Sequence, residues 1–191
     1  MVVPDKKRLY YLSWLTLGGM SAIGIVLINY VQQRDVSDVL TGGKNYYLQV
    51  VAGLFFGSLA ALLAVALLNG KRFKSVRKFY TDMMQDMNPA LTTILFYSFC
   101  AAVGEEILFR AGIQPIHHVG IWPAAIAFVF FSHGYIQPTN ISLNIFGVLL
   151  VVISAGFGYL FKFFGLASAI TAHFVYDVAM FCVLKYSVRE T

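Results

Sequence analysis

Residues 91–113 read LTTILFYSFCAAVGEEILFRAGI, an apolar run long enough to cross a lipid bilayer as one α-helix. A spanning helix needs about 20 mostly apolar residues, because its backbone polar groups bond within the segment while its side chains face hydrocarbon. Three charged residues interrupt the run: Glu105, Glu106 and Arg110. The stretch therefore predicts a membrane span that carries charges where charge is costly.

The composition extends this interpretation to the whole chain. Of 191 residues, 59% are hydrophobic and only 12% are charged, whereas a soluble domain is about half apolar and about a quarter charged. Six apolar stretches predict spans, the fourth of them short: Leu9–Val31, Tyr46–Leu68, Leu91–Ile113, Ile121–Tyr135, Ile141–Phe164 and Leu166–Leu184. We therefore expect an all-α fold, a polytopic transmembrane helix bundle of about six spans, in a single domain over residues 1–191.

The segment 69–88, between the second and third spans, has a different pattern. Five basic residues lie between Lys71 and Lys78, and apolar side chains recur there at roughly helical spacing. This pattern predicts an amphipathic interfacial helix, with a solvated basic loop as the alternative.

The distribution of Lys and Arg predicts the orientation in the membrane. With six spans, most of the basic residues fall on the side that holds both termini and the segment 69–88. Since cytoplasmic loops carry the excess of Lys and Arg, we expect both termini in the cytoplasm. We expect an integral protein of a prokaryotic inner or plasma membrane, with the lipid bilayer as a partner and no nucleic acid, because the net charge of +5 is small and suits a membrane surface.

Six ionisable residues lie inside the predicted spans. An ionisable group at the bilayer centre costs about 3 kcal/mol on insertion scales, so these groups are expected to contact one another. They are Glu105, Glu106, Arg110, His133, His173 and Asp177.

Their spacing allows such contacts. Glu106 and Arg110 are separated by four residues with the acid first, which is the favourable order for an ion pair on a helix. Glu105 lies about 100° around the helix from Glu106 and faces a different partner. His173 and Asp177 are also separated by four residues. A shared polar pocket satisfies all these groups, although helix–helix packing contacts and a proton or ion path are the open alternatives.

Three motifs follow one another on successive apolar helices. Residues 105–110 read E-E-x-x-x-R, His133 comes next, and residues 173–177 read H-x-x-x-D. This order resembles the CAAX prenyl protease and bacteriocin-processing family (CPBP, also called Abi), which consists of intramembrane glutamic endopeptidases. The resemblance covers about residues 91–184, which would form the catalytic core.

The resemblance implies a role for each matched residue. Glu105 would be the catalytic base, and His133 would help to hold and activate the water. His173 and Asp177 would line the oxyanion side. Two further residues would support these four: Glu106 and Arg110. Where the family's second motif usually reads F-x-x-x-H, this sequence has Val129 at the first position, and Asp177 stands where many members have Asn.

An ionised carboxylate cannot donate to an oxyanion, so Asp177 is either protonated or fixes the tautomer of His173, as the carboxylate of a catalytic triad does. We expect the second role, because the spacing of four residues permits that hydrogen bond. Glu105, His133 and His173 would be the ligands if zinc were bound. No H-E-x-x-H motif occurs in the sequence, and we expect no cofactor.

The predicted function is an intramembrane endopeptidase of the CPBP type. It would hydrolyse a peptide bond near the C-terminus of a prenylated or membrane-associated protein or peptide, using water activated by glutamate and histidine. The alternatives are a proton-coupled transporter and a non-catalytic bacteriocin-immunity membrane protein. The predicted orientation places Glu105 about 12 Å from the outer end of its span, whereas a site for cytoplasmic substrates should open inwards.

Overall fold

The computed structural model describes residues 6–133 and 141–187, without the side chains of Lys6, Arg8 and His133. This part of the chain contains helices and turns but no strand. Helix α1 is continuous and alternates α-helical with π-helical turns, over Lys6–Leu15, Thr16–Met20, Ser21–Val26 and Leu27–Val31. The later helices are α2 (Val36–Thr41), α3 (Tyr46–Leu68), α4 (Lys74–Met87), α5 (Leu91–Glu106, continued by the π-helical residues Ile107–Ile113), α6 (Ile121–His133), α7 (Ile141–Phe163) and α8 (Leu166–Tyr186).

Within the described residues, five helices are long and apolar enough to cross a membrane: Leu9–Val31, Tyr46–Leu68, Leu91–Ile113, Ile141–Phe163 and Leu166–Tyr186. The chain is an integral membrane protein, and the predicted polytopic bundle is confirmed. The fourth predicted span is the shorter helix α6, and its predicted last residues, 134 and 135, lie outside the described residues. The ends of α7 and α8 differ from the predicted ones by one or two residues, as is normal where helices fray.

Helices α1 and α5 lie side by side and run in the same direction. Tyr10 stacks on Phe96 near the start of both helices, with ring centroids 5.2 Å apart. Near the other end, Gln32 Nε2 donates hydrogen bonds to the carbonyl oxygens of Ala111 and Gly112, at 2.8 and 2.6 Å. Because the two helices are parallel, the chain must cross back through the bundle between them, and α3 makes that crossing.

The helices in the rest of the chain also alternate in direction. Helices α3 and α8 are parallel neighbours, and Lys44 N donates to Phe164 O at 2.6 Å just before both begin. Helix α7 starts beside the residues that lead into α4, where Ser142 Oγ donates to Arg72 O at 2.9 Å. We call the end of the bundle that holds α4 the α4 end. Helices α1, α5 and α7 run away from it, and α3, α6 and α8 return towards it.

Helix α4 lies across one end of the bundle. Val76 and Met84 on its apolar side are buried in the core, whereas Lys74 and Lys78 are exposed. The predicted helical form of this segment is therefore confirmed. Lys185 Nζ at the end of α8 donates to Pro89 O at 2.6 Å. This bond ties the end of α8 to the turn between α4 and α5.

Two glycines allow α3 and α8 to touch through their backbones. A methyl group added to Gly57 would meet Ala172 Cα at 2.9 Å, and one added to Gly53 would meet Ser168 O at 2.6 Å. Such small-residue contacts are common between membrane helices, where close approach provides the packing energy. Because Ala172 precedes His173, this contact also fixes where His173 lies in the bundle.

We expect Gly57→Ala to lower the free energy of unfolding by about 2 kcal/mol, since overfilling a packed contact costs about 1–3 kcal/mol. The matched control is Gly18→Ala in α1, because a methyl group there meets nothing within 4 Å. That control should be neutral or slightly stabilising. Thermal unfolding in detergent micelles measures both variants, and equal midpoints would show that the α3–α8 contact is loose.

Candidate functional site

Two helices contribute the predicted polar side chains to one buried region. Helix α5 supplies Glu105, Glu106 and Arg110, and α8 supplies His173 and Asp177. The structure thus brings together five of the six residues that the sequence predicted, from motifs more than 60 residues apart.

Glu106 lies at the centre of this region. Its Oε2 accepts a hydrogen bond from Arg110 Nε at 2.9 Å, and its Oε1 lies 2.9 Å from His173 Nδ1. Arg110 Nη2 donates in turn to Ser154 Oγ on α7, at 2.7 Å. We call these four residues the buried polar chain. Glu106 and Arg110 are fully buried, so each charge depends on the other for stabilisation, and breaking such a pair leaves an uncompensated charge.

The backbone around Arg110 is π-helical rather than α-helical. Arg110 lies in the π-helical stretch Ile107–Ile113, a form that occurs mostly as single turns and often at functional sites. Its guanidinium carbon lies 5.1 Å from the centre of the Phe128 ring, a distance at which a cation and an aromatic face attract. Its Nη1 has no hydrogen-bond partner among the described residues.

His173 presents its two ring nitrogens to different surroundings. Because a carboxylate only accepts, Nδ1–H donates to Glu106 and fixes the orientation of the ring. Nε2 lies 3.5 Å from Asp177 Oδ2 and 3.8 Å from Glu105 Oε2. The 3.8 Å distance is too long for a direct hydrogen bond and has the length that a bridging water requires. Nε2 is therefore the nitrogen available for chemistry.

Two phenylalanines hold the His173 ring in place. Phe157 stacks on it with centroids 5.4 Å apart and an interplanar angle of 19°, and Phe128 meets it edge-on at 5.6 Å. The ring is 4% exposed. Packing on both sides and the bond to Glu106 together leave His173 one orientation.

The structure gives His173 a nearer carboxylate than the one expected from the sequence. Asp177 was expected to fix the tautomer of His173, but the 2.9 Å contact belongs to Glu106, and Asp177 lies on the Nε2 side at 3.5 Å. Sequence reasoning also missed Ser154. The available signal was a hydroxyl in the middle of an apolar span, a residue type that often bonds across membrane helices.

His133 is the last residue of α6, and its side chain lies outside the described residues. Its predicted part in holding water therefore stays a prediction. The preceding residue, Ser132, has a buried hydroxyl beside the Glu105 carboxylate. The end of α6 thus lies next to Glu105.

A cavity of about 900 Å³ leads from the α4 end to these residues. It begins beside Lys7 and Asn88, runs between α1, α4, α5 and α8, and ends at Glu105 and Asp177. From Ala90 to Glu105 the cavity follows α5 for about 22 Å at 1.5 Å per residue. The site therefore opens towards the α4 end although Glu105 lies nearer the other end of its span.

No three His, Cys, Asp or Glu side chains among the described residues are arranged to hold a metal ion. The predicted zinc ligands include His133, whose side chain is not described, so that alternative stays open. The 3.8 Å distance between Glu105 Oε2 and His173 Nε2 suits a water bound to both atoms, without any metal.

A protein-family model matches part of the chain. The model described as type II CAAX prenyl endopeptidase Rce1-like matches residues 87–179, just under half of the chain. The matched segment contains α5, α6 and α7 and the part of α8 that carries His173 and Asp177. No curated protein and no solved structure gives a significant match.

Proposed function

We propose that this membrane protein cleaves a peptide bond near the C-terminus of a prenylated or membrane-associated protein or peptide, because the model of the Rce1-like type II CAAX prenyl endopeptidases matches residues 87–179. The observation that carries the proposal is the end of the cavity. There Glu105 and His173 Nε2 lie 3.8 Å apart, on either side of a position that suits water. About residues 91–184 would form the catalytic core.

In the proposed reaction, Glu105 takes a proton from the water as the water oxygen attacks the scissile carbonyl carbon. General-base catalysis of this kind contributes about 10²–10⁴-fold. His133 would help to position the water. The carbonyl oxygen becomes an oxyanion, which a protonated His173 stabilises through Nε2–H. Collapse of the tetrahedral intermediate breaks the C–N bond, and the proton held by Glu105 passes to the leaving amine.

The buried polar chain positions His173 for this step. Glu106 accepts Nδ1–H and offsets the charge of the imidazolium, the role that a carboxylate has in a catalytic triad. Arg110 and Ser154 hold Glu106 in turn. Asp177, whose side chain is 17% exposed, is assigned to the cavity side of His173, where it contacts substrate or water.

The purified chain in liposomes, incubated with lipid-anchored peptides and examined by mass spectrometry, tests the proposal. Products with one defined new C-terminus are expected. Proton or ion flux that depends on Glu105, without cleavage of any peptide, would instead identify a transporter.

Ser154→Ala is expected to lower kcat about tenfold and leave KM unchanged. Arg110 would lose its 2.7 Å acceptor, and hydrogen bonds to charged groups contribute about 1.5–3 kcal/mol. Ser154 does not line the cavity, so substrate binding should be unaffected. Ser168→Ala is the matched control, because Ser168 is equally buried but bonds only to Gly165 O. Equal kcat values in both variants would show that Ser154 does not help the buried polar chain to position His173.

We propose that water activation needs no metal, because a carboxylate and an imidazole suffice to bind and deprotonate water. Activity should survive treatment with a chelator, and the purified protein should contain far less than one zinc per chain. Stoichiometric zinc that is lost together with activity would overturn the metal-free mechanism.

Both termini are proposed to be cytoplasmic in a prokaryotic plasma membrane. The described ends of the chain, Lys6 and Ser187, lie at the α4 end, which also holds the basic residues of α4. An excess of Lys and Arg marks the cytoplasmic side of a membrane. Reporter fusions at each terminus would locate both, and an external signal from either would contradict the orientation.

A further inference from the structure

The cavity has a marked charge asymmetry along its length. Glu105 and Asp177 lie at its deep end and Lys7 lies at its mouth, while the other described residues that line it are uncharged. Hydroxyl groups of Thr16, Thr92 and the neighbouring tyrosines lie between these ends. Most of the lining is apolar, so the cavity suits the apolar part of a lipid-anchored peptide, and its few hydroxyl groups can bond the peptide backbone.

The two deep carboxylates are not compensated in the way that Glu106 is. Glu106 shares its charge with Arg110 and His173 through two 2.9 Å contacts. Glu105 and Asp177 face His173 Nε2 only at 3.8 and 3.5 Å. When both carboxylates are ionised, the described side chains at the deep end carry net negative charge even with the His173 ring protonated.

This charge acts strongly on a bound peptide. Charges at the deep end of a cavity with mostly apolar walls are weakly screened by water. Repulsion between like charges a few ångströms apart there weakens binding by more than tenfold. An acidic side chain next to the cleaved bond would enter this field directly. A basic side chain at the same position would be attracted by it.

We propose that the deep end of the cavity makes this chain selective for segments that are apolar or basic beside the cleaved bond, and that Lys7 favours an acidic residue six or seven positions away. The spacing follows from the length of about 22 Å between Ala90 and Glu105, since an extended peptide covers about 3.3 Å per residue. The inference rests on the proposed peptidase function and adds the charge class of its substrate.

The test uses the full chain in liposomes and a palmitoylated fluorogenic peptide whose cleaved bond has been mapped by mass spectrometry. The residue after that bond is Asn, Asp or Lys in three otherwise identical peptides. The Asp peptide should show a kcat/KM at least tenfold below that of the Asn peptide. The Lys peptide should equal or exceed the Asn peptide.

Two variants assign the selectivity to named residues. Asp177→Asn should slow every peptide but reduce the Asn-to-Asp ratio several-fold, because one deep charge is gone. Lys7→Gln should abolish any gain in kcat/KM from an acidic residue six or seven positions from the bond. Lys44→Gln, at the opposite end of the bundle, is the matched control for Lys7 and should change nothing.

The outcomes separate the two claims. If the peptides are cleaved and the Asp peptide is cleaved as fast as the Asn peptide, charge selection by the deep end is wrong while the peptidase function stands. An unchanged ratio in Asp177→Asn would contradict the assignment to that residue. If the wild-type chain cleaves no peptide faster than the Glu105→Gln variant does, the proposed function is wrong, and the proposed substrate class is wrong with it.

Discussion

Glu105→Gln is expected to lower peptide cleavage about 10³-fold, the middle of the range for loss of a general base. Gln has nearly the same shape as Glu, so the walls of the cavity stay in place. Its amide cannot take a proton from water at neutral pH. The loss should therefore appear in kcat, measured with a lipid-anchored fluorogenic peptide in liposomes.

Asp82→Asn is the matched control for this loss. Asp82 lies on the exposed side of α4 and forms an ion pair with Lys78 at 3.8 Å, with 40% of its side chain exposed. The Asp82→Asn variant should retain full activity and an unchanged unfolding midpoint. Glu105→Gln should unfold at or above the wild-type temperature, because an amide is easier to bury than a carboxylate. A wild-type kcat in a folded Glu105→Gln variant would show that Glu105 is not the general base.

Arg110→Met is expected to lower the free energy of unfolding by about 3–5 kcal/mol. Methionine roughly fills the space of the Arg110 stem, but Glu106 would then stay buried with His173 as its only described charged partner. Removal of one member of a buried ion pair costs about this much because the other charge is left without compensation. Thermal or denaturant unfolding in micelles measures the change.

The double variant Glu106→Gln with Arg110→Met distinguishes lost charge from lost packing. Without the carboxylate no charge is left uncompensated, so much of the stability should return, although the His173 ring loses its charged acceptor and activity should stay low. If Arg110→Met unfolds like the wild-type protein, the 2.9 Å pair contributes little to stability. If the double variant is the least stable, packing around the Arg110 side chain is the larger effect.

Much of the site could be predicted from the sequence because part of it is local. Glu106 and Arg110 are one helical turn apart, so their spacing alone predicted the ion pair that the structure contains. The apolar stretches predicted the spans for the same reason, since length and hydropathy are properties of a segment. The spacing of His173 and Asp177 predicted proximity as well, but not that Glu106 would lie nearer to Nδ1.

The sequence by itself determined that this chain is a helical membrane protein, which residues would be costly in the bilayer, and which of them share a helix turn. Tertiary structure alone decided that Glu106 contacts His173, that Ser154 supports Arg110, and that the cavity reaches Glu105 from the α4 end. These contacts depend on how α5, α7 and α8 dock. Docking is set by close backbone approaches such as Gly57 against Ala172, whose partners cannot be read from either segment alone.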